Sequence, residues 1–225
     1  KDKAAFSQFC KEHHLAFYSQ AKGQDSVVRL YPEGPLHLSY DLNDFGLRFS
    51  FHPLDFTQVN SDINQQMVQE ALDWLDVKPE DTVLDLFCGI GNFTLPLAKR
   101  AKAVVGVEGA QTAVERAQEN AALNEIENAD FFVANLFEPP FEAPWAQKSF
   151  DKILLDPPRS GAEQVMPLIG QMKPRKIVYV SCGPATLARD AHVLVHEFGY
   201  QLKKLKIMDM FPHTAYVETL CLFEI

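Results

Sequence analysis

Apolar residues begin to recur at helical spacing only after about residue 60. Ile63, Met67, Val68, Ala71, Leu72 and Leu75 mark one face of a helix opened by Ser61. Short, nearly continuous apolar runs follow at Thr82–Phe87, Ala103–Glu108, Phe131–Ala134, Ile153–Asp156 and Ile177–Ser181. Helical patterns lie between them at Phe93–Lys99, Thr112–Leu123, Glu163–Met172 and Ala185–Phe198. Strands that are apolar on both faces and separated by helices predict a parallel sheet covered on both sides, a doubly wound α/β fold. Leu202–Met208 and Glu218–Phe223 add two strands near the end. Upstream, Val27–Tyr31 and Leu47–Phe51 read as strands, punctuated by Pro32, Gly34, Pro35 and Gly46. The expected organisation is a small β-rich segment over residues 1–60, the remainder of a central domain, followed by one α/β domain over residues 61–225.

Composition narrows the class. Of 225 residues, 47% are hydrophobic and 23% charged, which excludes a disordered or fibrous chain. No run approaches the ~20 apolar residues that span a bilayer, so no membrane role is expected. The chain starts at Lys1 rather than Met, and Lys1–Cys10 has no apolar signal core, so an internal cut of a longer protein is expected. Lysine and arginine number 21 against 30 acidic residues, a net charge of −9. Non-specific nucleic-acid affinity comes from excess cations, so an RNA partner would need a locally basic face or a separate domain. Cys10, Cys88, Cys182 and Cys221 form no C-x-x-C pair and lie at no zinc-finger spacing, which fits a reducing, cytoplasmic setting without a metal.

In a doubly wound sheet the ligand lies at the carboxyl ends of the strands. The first strand runs Val83-Leu84-Asp85-Leu86-Phe87 and turns through Cys88-Gly89-Ile90-Gly91-Asn92 into a helix. Two glycines permit a tight turn and close approach to the backbone. Glu108 ends the second strand, where a carboxylate accepts hydrogen bonds from both ribose hydroxyls. A dinucleotide site would want a third glycine at position 94, where Thr94 stands, and Asp85 is ill suited to a pyrophosphate. Negative charge beside the turn suits a cation without phosphates. S-adenosylmethionine (AdoMet) is such a ligand and is favoured over NAD. The fold expected is then a Rossmann-like AdoMet-dependent methyltransferase fold, with residues 61–225 as its catalytic domain. A tight turn with no ligand is the bland reading.

The remaining strand ends carry reactive groups. Asp156-Pro157-Pro158-Arg159 holds the chain extended where a substrate base would meet the methyl donor. Enzymes that methylate exocyclic amines place an aromatic residue after the prolines, and Arg159 disfavours that chemistry; a rigid strand exit is the plain alternative. Cys182 ends the fifth strand just before a helix N-terminus, a favourable field for a thiolate, although most free cysteines are structural. Glu218 opens the last apolar strand at the same edge if that strand is antiparallel, and becomes a candidate general base rather than a solvated surface acid. Together these groups suit methylation of uracil C5. Thiolate addition to C6 makes C5 nucleophilic, and a base must later remove the C5 proton. Cytosine-C5 RNA enzymes often carry a second cysteine in the fourth-strand motif, which is absent here.

These residues match a known family. Phe56–Asn60, Asp85–Phe93, Val107–Gly109, Asp156–Arg159, Ser181–Asp190 and Asp209–Glu218 resemble the RNA uracil-C5 methyltransferases, most closely the RumA/RlmD-type branch that acts on 23S ribosomal RNA. The resemblance implies Cys182 as nucleophile and Glu218 as proton acceptor, with Gln58, Phe87, Asn92, Glu108, Asn135 and Asp156 contacting AdoMet and 5-methyluridine as the product. Ala185–Asp190 inclines the reading to the ribosomal rather than the tRNA type. Two departures stand out: Gly183 replaces the usual Asn after the cysteine, and neither the RNA-binding β-barrel nor the four-cysteine iron–sulfur site of the family's upstream part is visible. An iron–sulfur cluster is expected only in such an upstream part. Lys173, Arg175, Lys176, Arg189, Lys203, Lys204 and Lys206 are candidate RNA contacts or simply a solvated face. A non-catalytic AdoMet-binding module of ribosome assembly is the alternative of a different class.

Overall fold

The chain divides into two units, Lys1–Ser39 with Ser50–Asp55, and Tyr40–Phe49 with Phe56–Ile225. The computed structural model describes residues 2–23, 26–34, 37–139 and 141–225, so Lys1 and Pro35 lie outside the described residues. The first unit contains helix α1 (Asp2–Glu12) and the antiparallel strands β1 (Phe17–Gln20) and β2 (Val27–Tyr31), paired from Phe17↔Tyr31 to Gln20↔Val27. The α1 ring of Phe6 packs 5.1 Å from that of Phe17. Apart from the β2 strand, these elements carry too weak a period to be read from the sequence.

Strands β3 (Leu38–Leu42) and β4 (Leu47–Phe51) pair around a turn whose Gly46 adopts φ 60°. Leu42, Leu47 and Phe49 are buried with helix α2 (Ser61–Leu75), so Tyr40–Phe49 and the Phe56–Asn60 segment go with the second unit. Asn60 caps α2 through Oδ1, which accepts the Ile63 N–H at 3.3 Å. The order then alternates: β5 (Thr82–Leu86), α3 (Thr94–Ala98), β6 (Ala103–Glu108), α4 (Gln111–Leu123), β7 (Ala129–Val133), β8 (Lys152–Leu155), α5 (Met166–Met172), β9 (Lys176–Ser181), α6 (Pro184–His196), β10 (Gln201–Met208) and β11 (Glu218–Glu224).

These strands form one sheet in the order β10-β11-β9-β8-β5-β6-β7. Strands β5 to β9 are mutually parallel, whereas β11 runs antiparallel to both β9 and β10. The expected doubly wound α/β fold is present. Its continuous apolar runs have a plain cause: alternate residues of each strand feed different cores. Val83, Leu154, Val178, Val180 and Leu220 pack with α2 and α3, while Leu84, Leu86, Ile153, Tyr179 and Cys221 pack with α5 and α6. Lys152, buried at the start of β8, is neutralised by Asp81 at 2.5 Å, and Arg175 binds the other Asp81 oxygen at 2.6 Å.

The chain leaves β5 toward β6 and β7, then crosses back to β8 on the other side. That reversal creates a crevice between β5 and β8 at their carboxyl ends. At the far edge, β10 is exposed over Gln201–Ile207, and its Lys203, Lys204 and Lys206 discourage pairing with another chain. Among the described residues, no helix is long and apolar enough to cross a membrane.

Candidate active site

The turn after β5 is tightly wound. Phe87, Gly89 and Gly91 take φ of 63°, 54° and 94°. A left-handed Phe is costly, on the order of 1 kcal/mol, and is held by its neighbours. The Cys88 N–H donates to the Val107 carbonyl at 3.1 Å, and the Phe87 ring lies 5.6 Å from that of Phe137. A Cβ on Gly91 would make only ordinary contact with Leu95 at 3.4 Å, so this position favours glycine for its φ of 94° and not for lack of space.

Glu108, at the end of β6, faces this turn. Its carboxylate accepts the Gly89 N–H at 3.2 Å and the Ala110 N–H at 3.0 Å. The Glu108 carbonyl accepts the Ala134 N–H, which brings Asn135 to the same edge, where its Oδ1 accepts the Phe137 N–H at 3.1 Å. Phe87, Glu108 and Asn135 therefore gather around one end of the crevice. Asn92 is placed differently. Its Oδ1 accepts from the Tyr40 hydroxyl at 2.9 Å and from Asn64 at 3.0 Å, while its Nδ2 donates back to Asn64. Most of that amide's capacity is spent anchoring the turn to α2 and β3.

Beneath the turn, Asp85 is fully buried and accepts the Thr94 hydroxyl at 2.5 Å. Among the described residues, its Oδ1 has no hydrogen-bond partner. Burial pushes this carboxyl up to about 7, with the Thr94 hydrogen bond opposing and the Glu108 charge adding to the rise. An orphaned carboxylate oxygen under a glycine turn fits a cationic ligand and not a phosphate.

Across the crevice, Asp156 follows β8. Gln58 Nε2 approaches its Oδ2 at 3.5 Å, the outer limit of a hydrogen bond. Burial, and then the Glu218 and Asp85 charges, hold Asp156 well above the usual carboxylate range. The β9–β11 ladder supplies the rest. Thr219 pairs with Ser181, so Glu218 and Cys182, one step further on each strand, leave the ladder side by side. Glu218 is only 3% exposed, and burial raises it to about 7. Cys182 is half-buried, whereas Cys10, Cys88 and Cys221 are buried. Burial and the Glu218 charge raise the Cys182 thiol, and the positive charge of the nearby Arg159 guanidinium opposes them.

Arg159 itself lies 3.8 Å over the Tyr216 ring. Sequence reasoning read Arg159 only as the absence of an aromatic residue and passed over Tyr216 and Asn64. A polar residue within the apolar face of α2 was the available signal for Asn64. The cations proposed as RNA contacts largely face acids: Arg175 binds Asp81 and Asp151, Lys176 binds Glu224, Arg189 binds Glu163 and Asp190, and Lys206 binds Glu70.

Comparison with known proteins places the chain in a family. The profile of the family described as "tRNA (Uracil-5-)-methyltransferase" matches residues 32–136 and 144–224. A 23S rRNA (uracil(1939)-C(5))-methyltransferase RlmD of Methylococcus capsulatus is 53% identical over 224 residues, covering 100% of this chain and 51% of that protein. The chain thus spans about half the length of that relative. An RlmD of Photobacterium angustum is 57% identical over 203 residues, 90% of each chain. Among solved structures, the tRNA (uracil-54, C5)-methyltransferase of Pyrococcus abyssi, in complex with S-adenosyl-L-homocysteine, superposes with TM-score 0.75 at 31% identity, over 92% of this chain and 50% of that one. M. jannaschii TYW2 in complex with AdoMet, at 18% identity and TM-score 0.65 over 93% of this chain and 92% of its own, shares the fold alone. The fold is that of the AdoMet-dependent methyltransferases, as expected from the strand–turn–helix motif. By profile, by sequence and by fold, the chain belongs to the tRNA (Uracil-5-)-methyltransferase family.

Proposed function

We propose that this chain carries the catalytic machinery of an AdoMet-dependent methyltransferase that converts a uridine of 23S rRNA to 5-methyluridine through a covalent cysteine adduct. The observation that carries the reading is the emergence of Cys182 and Glu218 side by side at the crevice edge, with the Arg159 charge nearby. The 23S rRNA assignment is supported by relatives at 53% and 57% identity, against 31% for the tRNA enzyme. The orphaned Asp85 oxygen and the turn at Gly89–Gly91 fit the cationic amino-acid end of AdoMet, and Glu108 and Asn135 fit its nucleoside end. Gln58 and Asp156 lie between these residues and the nucleophile.

When bound, AdoMet supplies an electrophilic methyl group. Each other step belongs to side chains of this chain. The Cys182 thiolate, its charge countered by Arg159, bonds to uracil C6, and the C5–C6 electron pair moves toward the C4 carbonyl. The electrons held at the C4 oxygen return through C5 as it bonds the methyl, the pair of the broken S–CH3 bond staying on the donor's sulfonium sulfur, which leaves as a neutral thioether. Glu218 removes the C5 proton, the electrons of that C–H bond restore C5=C6, and the cysteine leaves as thiolate. A carboxyl near 7 suits the proton step at neutral pH. RNA containing 5-fluorouridine has no C5 proton to lose, so the full-length protein with AdoMet is expected to form a stable adduct that maps to Cys182 and disappears in Cys182→Ala. An adduct that persists in that variant overturns the reading, and absence of any adduct with wild type favours a non-catalytic module.

A further inference from the structure

Helix α6 starts two residues after Cys182, and its first turns do more than continue the fold. Thr186, Arg189 and Asp190, at i, i+3 and i+4, share one face of the helix. All three reach the loop that leaves β8. Thr186 Oγ1 lies 2.9 Å from the Arg159 carbonyl and 2.9 Å from that of Gly183. Arg189 donates to the Ser160 carbonyl at 2.9 Å. Asp190, fully buried, accepts the Ala162 N–H at 2.6 Å and the Tyr179 hydroxyl at 2.7 Å. The loop is pressed onto the helix without space between them. A Cβ on Gly161 would come within 2.6 Å of both Arg189 and Asp190, and one on Gly183 would meet Thr186 Oγ1 at 2.8 Å and the Arg159 carbonyl at 3.1 Å.

A buried carboxylate with three donors is a costly device for fastening a surface loop. What the loop presents to the crevice explains it. Arg159 is exposed, and a free arginine side chain loses conformational entropy when it is held on one partner. Fixing its backbone from α6, with the Tyr216 ring stacked on its guanidinium, confines it near Cys182 in advance. Because the same helix follows Cys182, the clamp ties the two strand ends of the site to one rigid element.

We propose that Thr186, Arg189 and Asp190 are positioning residues that hold Arg159 near the Cys182 sulfur. The proposal rests on the reading of Cys182 as nucleophile and adds the groups that prepare it. The charged and titratable groups facing the sulfur are Arg159 and Asp156 from the β8 exit and Glu218 from β11, with Tyr216 behind Arg159. Of these, only Arg159 favours the thiolate.

The test is the pH dependence of iodoacetamide alkylation at Cys182, followed by peptide mass spectrometry on the folded full-length protein without RNA. Asp190→Asn and Thr186→Val are expected to slow alkylation near pH 7.5 about fivefold, leave the high-pH plateau unchanged, and mimic Arg159→Ala. Thr186→Ser, which keeps the hydroxyl, is expected to retain the wild-type profile. In the Arg159→Ala background, Asp190→Asn is expected to add nothing, because both act through one group. A wild-type profile in Thr186→Val, or an equal slowing by Asp190→Asn with Arg159 already removed, overturns the clamp. If Asp190→Asn does not fold, Thr186→Val and Thr186→Ser decide the matter. The nucleophile reading is tested separately by the 5-fluorouridine adduct, so a missing adduct with an altered alkylation profile separates its failure from that of the clamp.

Discussion

Glu218 is a carboxyl that meets its proton near neutrality because its side chain is buried. As the base of the last step it must be ionised, so turnover is expected to rise with pH through about 7 and level off above. Glu218→Gln removes the proton acceptor but leaves the nucleophile. Its turnover is expected to drop by about a hundredfold or more, with covalent protein–RNA complex accumulating on ordinary uridine RNA in a denaturing gel. Unchanged turnover would remove Glu218 from the mechanism. Asp85 offers a second single-residue test. Its orphaned oxygen and a value near 7 make the affinity for a cationic ligand rise as pH rises through that region, because deprotonation creates the charge that the ligand neutralises. Asp85→Asn is expected to weaken AdoMet binding about tenfold at pH 8 and to flatten the pH dependence seen by calorimetry. Equal affinities at pH 8 would exclude an ionic role. Residues such as Asp85, Asp156, Cys182 and Glu218 were legible because each is polar inside or at the end of an apolar run. The turning of Asn92 toward Asn64 and Tyr40 was not, since it depends on partners 28 and 52 positions away meeting in space.

At the level of elements, the period of the apolar residues decided nearly everything. Strands β5, β6, β8 and β9 are fed from both faces and so read as unbroken runs, and the amphipathic α2 and α4 are found within a residue of their expected spans. Short elements escaped. Strand β1 has only Phe17 and Tyr18 as apolar residues, adjacent rather than alternating, α1 buries little besides Cys10, and β3 went unread although Leu38, Tyr40 and Leu42 alternate with Ser39 and Asp41. Glu163–Met172 divides into a 3-10 turn, Glu163–Val165, and the helix α5, where Pro167 falls at the first turn. The motif Phe56–Asn60 shows how one stretch serves two ends: Gln58 reaches Asp156, and Asn60 starts α2. Removing the cap in Asn60→Ala is expected to cost about 1 kcal/mol in denaturant unfolding, while Asn60→Asp keeps the acceptor and most of the stability. Equal losses in both variants would show that the side-chain acceptor is not what holds the helix start.

At the scale of the whole molecule, the buried carboxyls of the crevice set its response to pH. Asp85 and Glu218 rise from 3.8 and 4.5 to about 7, and Asp156 also rises. A raised carboxyl binds its proton more tightly folded than unfolded, so its stabilising contribution is complete below the unfolded value and disappears as pH climbs through the folded one. Asp73 and Asp81, held down by cationic and hydrogen-bonding partners against the effect of burial, act in the opposite sense and lose their contribution as the solution becomes acidic. Stability should therefore peak on the acid side of neutrality and fall between about pH 5 and 8 as the crevice ionises. Glu218→Gln and Asp85→Asn each remove one ionisation, so each variant should gain on wild type as pH rises from 5 to 8 in thermal melts. A gap between variant and wild type that stays constant over that range would mean these carboxyls titrate normally, and the crevice would then lack the desolvation on which its proton chemistry depends. A bound cation ought to reverse the same trend: AdoMet should raise the melting temperature more at pH 8 than at pH 5, because only at pH 8 does Asp85 carry the charge that meets it.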